Sequence, residues 1–229
     1  MSTPQASSLL RLEAVARVVS PLANRLVFTG SATIPLLVEQ SAGRTEDAAS
    51  PITAISYSSR DRLRPELRNL GLEPATNRSS AECWRTPGGQ AFEITVHEDD
   101  EAKYSNPWYA YSLDCTTTAQ FMPTLSIRIA GAPAFLAAAW WDAMNSDGAS
   151  EDLTDVVTLV HGRTVIVDEI AAAPLDVRTF LAGAAAQFVQ LPDADLKILD
   201  ELPRAARLPG AVDRVFERLR RITRLGDDI

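Results

Sequence analysis

Chemistry in this chain is easiest to place at Leu26–Val27–Phe28–Thr29–Gly30–Ser31, an apolar run that breaks into Gly-Ser and is followed at once by Ala32, Ile34, Leu36 and Leu37 at helical spacing. This reads as a short strand turning sharply into a helix. A glycine lets the backbone approach a ligand closely, and the start of the next helix favours negative charge, so such a turn can hold a phosphate. The same pattern also serves as a plain connection, and the motif alone leaves both readings open. A second candidate is Glu93, within Ala91–Phe92–Glu93–Ile94–Thr95–Val96–His97. Strand side chains alternate, so Phe92, Ile94 and Val96 share one face and Glu93, Thr95 and His97 the other. The polar face either lines a cleft or meets water. Arg128 falls on the polar face of another alternating run, Thr124–Ile129.

Those residues need a scaffold, and the composition supplies one. The 229 residues are 46% hydrophobic and 23% charged, enough to bury a real core in one large domain or two small ones. There is no stretch of about 18 apolar residues to cross a membrane, and residues 1–7 lack the charged and apolar regions of a secretory signal. The expectation is a cytoplasmic protein with no membrane partner. Cys83, Cys115, His97 and His161 do not make a zinc spacing, so no zinc is expected. The net charge of −8 argues against a surface that is a nucleic-acid platform as a whole, while leaving room for a local basic patch. Lys103 and Lys197 are the chain's two lysines, so any lysine-dependent mechanism has two candidates.

Along the chain, Leu9, Leu12, Val15, Ala16, Val19 and Leu22 predict an amphipathic helix over 8–22 that feeds the opening strand. A helix over 32–40, a strand over 52–57 and a helix over 60–70 stopped by Gly71 follow, then a hairpin over 83–97 with Pro87–Gly88–Gly89–Gln90 as its turn. Glu98–Asp99–Asp100–Glu101 reads as a solvated loop, and Tyr104, Trp108, Tyr109 and Tyr111 as packing at the rim of a sheet. From residue 133 the pattern is helical. The final helix, about 211–225, sets Val212, Val215, Phe216, Leu219 and Ile222 opposite Arg214, Arg218, Arg221 and Arg224, an arginine face expected to be solvated.

In this order the parts resemble the minimal nucleotidyltransferases of the DNA polymerase β superfamily, and within them the AbiEii-type toxin branch. The likeness is carried by Val27–Thr33, Arg44–Asp47, Leu67–Leu72, Ser105–Tyr109, Ala132–Ala137 and Ser150–Val157, and runs from about residue 10 to 190. It implies that the Gly30–Ser31 turn contacts nucleotide phosphates, and that Asp47 is the first and Glu93 the third of three carboxylates holding two Mg²⁺ ions. Several converging carboxylates are needed there because hard cations take oxygen ligands and must neutralise the charge of the transferred group. The position of the second aspartate is Ala49, and the basic residue usual in the helix after the sheet falls near Ala139. Asp152 and Asp155 match an acidic pair on a later helix.

The expected fold is therefore α+β: a nucleotidyltransferase-like mixed sheet with helices on one face over 1–131, followed by a helical C-terminal half over 132–229. The expected function is that of a catalytically degenerate relative acting through nucleotide or partner binding, with Asp47 and Glu93 as catalytic and metal positions and Gly30, Ser31 and Arg128 contacting the nucleotide. The alternative is an active enzyme using Mg²⁺ and a nucleoside triphosphate to modify RNA, such as tRNA, or protein. Without activity, no cofactor is required, and a protein or RNA is the expected partner.

Overall fold

A computed structural model describes residues 4–39, 52–75, 82–96, 106–145 and 150–226. The chain divides into two compact units, Met1–Thr33 with Asp47–Gly131 and Ile34–Glu46 with Ala132–Ile229.

The first unit is built on a mixed sheet, seven-stranded among the described residues. Its strands are β1 (Leu26–Thr29), β2 (Thr53–Ser56), β3 (Glu73–Ala75), β4 (Glu82–Arg85), β5 (Ala91–Val96), β6 (Thr116–Met122) and β7 (Leu125–Ala130), in the order β3-β4-β5-β2-β1-β7-β6. β1 runs antiparallel to β2 and parallel to β7, while β2 runs parallel to β5. The central position of β1 explains its apolar run: all four residues are buried. β5 keeps the alternation expected of it, with Phe92, Ile94 and Val96 buried and Ala91, Glu93 and Thr95 half-buried. The polar face of β5 is thus partly sheltered from solvent.

Helix α1 (Pro4–Val19) buries Leu12, Val15, Ala16 and Val19 and is extended by a 3₁₀ turn, Ser20–Leu22. Its Arg11 donates to the Gln90 side chain at the start of β5. Helix α3 (Arg60–Asn69) buries Leu63 and Leu67 and ends where Gly71 N–H donates to Arg68 O at 2.9 Å. Arg25 and Glu66 tie α3 to the approach of β1 through an ion pair. A short helix, α4 (Tyr109–Asp114), leads into β6. Gly131 closes the junction after β7: its N–H donates to Cys115 O at 2.7 Å, and a Cβ there would lie 2.9 Å from Cys115 Sγ.

The second unit is helical. It holds α2 (Ile34–Leu37), α5 (Ala132–Asn145), α6 (Ser150–Gly162), α7 (Ile166–Ala171), α8 (Leu175–Val189), α9 (Ala194–Glu201) and α10 (Ala211–Arg224). The alanine-rich face of α5 is buried along Ala132–Trp140, and Trp140 meets Phe188 of α8 edge to face with ring centroids 6.4 Å apart.

Three sequence expectations are corrected here. The helix over 32–40 is a 3₁₀ turn, Ser31–Thr33, followed by a single helical turn, α2. Strands β3 and β6 were not foreseen: Glu-Pro-Ala has no strand signal, and the threonine-rich Thr116–Met122 lacks the apolar alternation of a half-buried strand. The arginine face of α10 is not uniformly solvated. Arg218 turns inward and donates to the Val160 and His161 carbonyls, both at 2.6 Å, at the end of α6.

Candidate functional site

The turn after β1 is compact. Gly30 adopts φ +75°, a region that L side chains rarely enter. Thr33 then closes the turn, its N–H donating to Gly30 O at 2.9 Å and its hydroxyl to the same oxygen at 2.8 Å. Gly30 and Ser31 are half-buried, at the C-terminal end of the central strand. A 3₁₀ turn, Ser31–Thr33, begins directly after the glycine, whose missing side chain lets a ligand approach the backbone closely.

Strand register brings Glu93 to this end of the sheet. Thr29 pairs with Thr53, Thr53 with Glu93, and Glu93 with Cys83. Residues in register share a face, so two threonine hydroxyls, one carboxylate and one thiol stand in a row on one side of the sheet. Two strand spacings, about 10 Å, separate the backbone of Glu93 from that of Thr29, the residue before the glycine. Glu93 N–H is fixed by the Ile52 carbonyl at 2.7 Å. Burial first, and then the Glu93 charge, push the Cys83 thiol above its ordinary pKa.

Arg128 is not part of this cluster. It pairs with Val27, two residues back from Thr29, and its guanidinium donates to Asn24 O (3.2 Å), Leu113 O (3.1 Å) and the Thr116 hydroxyl (3.4 Å). Those bonds direct it toward the N-terminal side of β1, away from Gly30. Close by, the Tyr57 hydroxyl donates to Asp114 at 2.6 Å; burial and then that bond push the tyrosine up to about 12. Asp47, Ala49 and His97 lie outside the described residues.

No family model matches the chain, and no curated protein sequence does. Among solved structures it is similar to JHP933 from Helicobacter pylori, with a TM-score of 0.52 at 13% identity over 96% of this chain and 94% of that one. An antigenic nucleotidyltransferase-like protein from Paracoccidioides brasiliensis is also similar, with a TM-score of 0.48 at 16% identity over 88% of this chain and 96% of that one. The likeness to JHP933 shows a shared fold and concerns the fold alone. The chain is a mixed α+β protein.

The Mg²⁺ pair that the family resemblance implies needs several converging oxygen ligands, most of them charged. Glu93 is a suitable hard donor, but Thr29 and Thr53 are neutral, and no group of three or more His, Cys, Asp or Glu among the described residues is placed to hold a metal ion. Glu93 is the one carboxylate of the described row, and Asp47, the other ligand that the resemblance implies, lies outside the described residues. Sequence reasoning had missed Thr29, Thr53 and Cys83 as neighbours of the site, because only the strand register aligns them.

Proposed function

We propose that this chain is a nucleotidyltransferase-like protein of the AbiEii-type branch that binds a nucleoside triphosphate at the Gly30–Ser31 turn and does not transfer it. The observation that carries the reading is the union of a positive-φ glycine turn at the end of β1 with Glu93 two strands away on the same end of the sheet. Backbone N–H groups at the turn would take phosphate oxygens, and the half-buried polar row would face the rest of the ligand. Ala49 stands where the resemblance calls for the second aspartate. A carboxylate missing there leaves phosphate charge under-neutralised, which removes the chemistry more readily than the binding.

The test is transfer of radiolabel from each of the four nucleoside triphosphates to tRNA or protein in the presence of Mg²⁺. The wild-type chain is expected to transfer nothing, while Ala49→Asp restores a carboxylate and is expected to bring label into the acceptor. Robust transfer by the wild type would establish the active enzyme instead, with Asp47 and Glu93 as its metal ligands.

A further inference from the structure

The two edges of the sheet are built differently. β3 has three residues, Glu73, Pro74 and Ala75; its charge and its proline both discourage a further strand. β6 at the other edge has seven, Thr116–Met122, with neither a charge nor a proline, and Thr117, Thr118 and Gln120 are exposed. Among the described residues no strand pairs with its outer side.

The hydrogen bonding of β6 to β7 says which groups face outward. Gly131 N–H donates to Cys115 O, and the register continues through Thr116↔Ala130, Thr117↔Ile129, Thr118↔Arg128 and Gln120↔Ser126. Backbone groups alternate in an antiparallel ladder, so Thr117 and Ala119 bond inward while Thr116, Thr118 and Gln120 turn their N–H and C=O groups away from the sheet. Regular pairing stops at the register shift between Gln120 and Met122.

We propose that β6 pairs antiparallel with β6 of a second copy of this chain, about a two-fold axis at Thr118. Centring on Thr118 sets Thr118 against Thr118 and Thr116 against Gln120, so all three outward-facing residues find partners and about six backbone hydrogen bonds form. A two-fold axis requires a self-complementary surface, and this segment is one: Thr117 meets Ala119, and no like charges are opposed despite a net charge of −8 per chain. The two sheets would join into one continuous sheet.

Sedimentation equilibrium and oxidative crosslinking of the full chain test this. The wild type is expected to be dimeric at micromolar concentration. Thr118→Cys should form an intermolecular disulfide whose linked peptide joins position 118 to position 118, because antiparallel hydrogen-bonded partners lie at about 5.5 Å between Cα atoms, within disulfide reach. Thr118→Lys opposes two ammonium groups at the axis and should raise the dimer dissociation constant at least about tenfold, whereas Glu73→Lys at the other edge should leave it unchanged with the same circular dichroism. A wild-type monomer at high micromolar concentration, or a dimer that neither crosslinks through position 118 nor responds to Thr118→Lys, overturns the proposal.

Discussion

The turn at Gly30 and the end of helix α6 are opposite ways of using polar groups. At α6 the charge is consumed by the fold. Arg218 donates to the Val160 and His161 carbonyls, Arg163 donates to Leu37 O at 2.7 Å and to both oxygens of Glu169, and the Thr164 hydroxyl donates to Glu39. The Val160, His161 and Leu37 oxygens are carbonyls of the kind that every helix end leaves, closed here by cationic side chains where the helix dipole favours them. At Gly30 there is no cation among the described residues of the row. The candidate site consists of backbone geometry, two hydroxyls, a thiol and Glu93. The lesson is that arginine density does not locate function in this chain. Its more conspicuous arginines, Arg128 and Arg218, are engaged by carbonyls, while the proposed anion site is shaped by a glycine.

Substitutions on the two sides should separate cleanly. The largest expected effect is at α6: Arg218→Met removes two charge-assisted bonds and strands two carbonyls, and should lower unfolding stability by about 2–3 kcal/mol in a urea titration, with nucleotide binding unchanged.

A pH dependence belongs to the same region. His161 is buried with both ring nitrogens lacking a hydrogen-bond partner, and burial, then Arg214 and Arg218, hold its pKa below the ordinary value. The folded state therefore binds the proton less readily than the unfolded chain. Stability from this residue is complete above the unfolded pKa of about 6.5 and declines as pH falls below it, by at most about 1.4 kcal/mol per pH unit. His161→Leu should flatten the thermal midpoint between pH 6.5 and 5.

At the turn the effects are smaller on stability and larger on ligand. Gly30→Ala forces a side chain into φ +75°, although its Cβ would be at an ordinary 3.5 Å from Thr53 Oγ1. The cost is backbone strain of about 1–2 kcal/mol, read by denaturation. The smallest effect concerns the row itself. Glu93→Gln removes the charge that helps to raise the Cys83 thiol, so alkylation of Cys83 at pH 8 should speed up about two- to threefold. An unchanged rate would mean that the two side chains do not share a face.

How much of this was legible beforehand depends on the range of the forces involved. The β4–β5 hairpin, the helix over 60–70 and the split faces of β5 follow from local periodicity, and the packed strand over 26–29 from its apolar run. The edge strand β6 was not legible. A sequence of threonines carries strand propensity without alternation, and only pairing to β7 gives it a place. Arg218 was misread for a related reason: its helical face is correct, but what lies opposite is the end of α6, some 57 residues away in sequence. In the proposed site, Gly30, Ser31 and Glu93 are candidates legible from residue type, whereas Thr29 and Thr53 join them through the register of three strands, which no local pattern encodes.

Calorimetric titration of the wild-type chain with a nucleoside triphosphate and Mg²⁺, repeated with Gly30→Ala, tests the central claim most directly. The account predicts saturable binding by the wild type and loss of at least about tenfold in affinity in the variant, equivalent to about 1.4 kcal/mol, with its circular dichroism preserved. Wild-type protein that binds no nucleotide, or a folded Gly30→Ala variant that binds as tightly as the wild type, would contradict it.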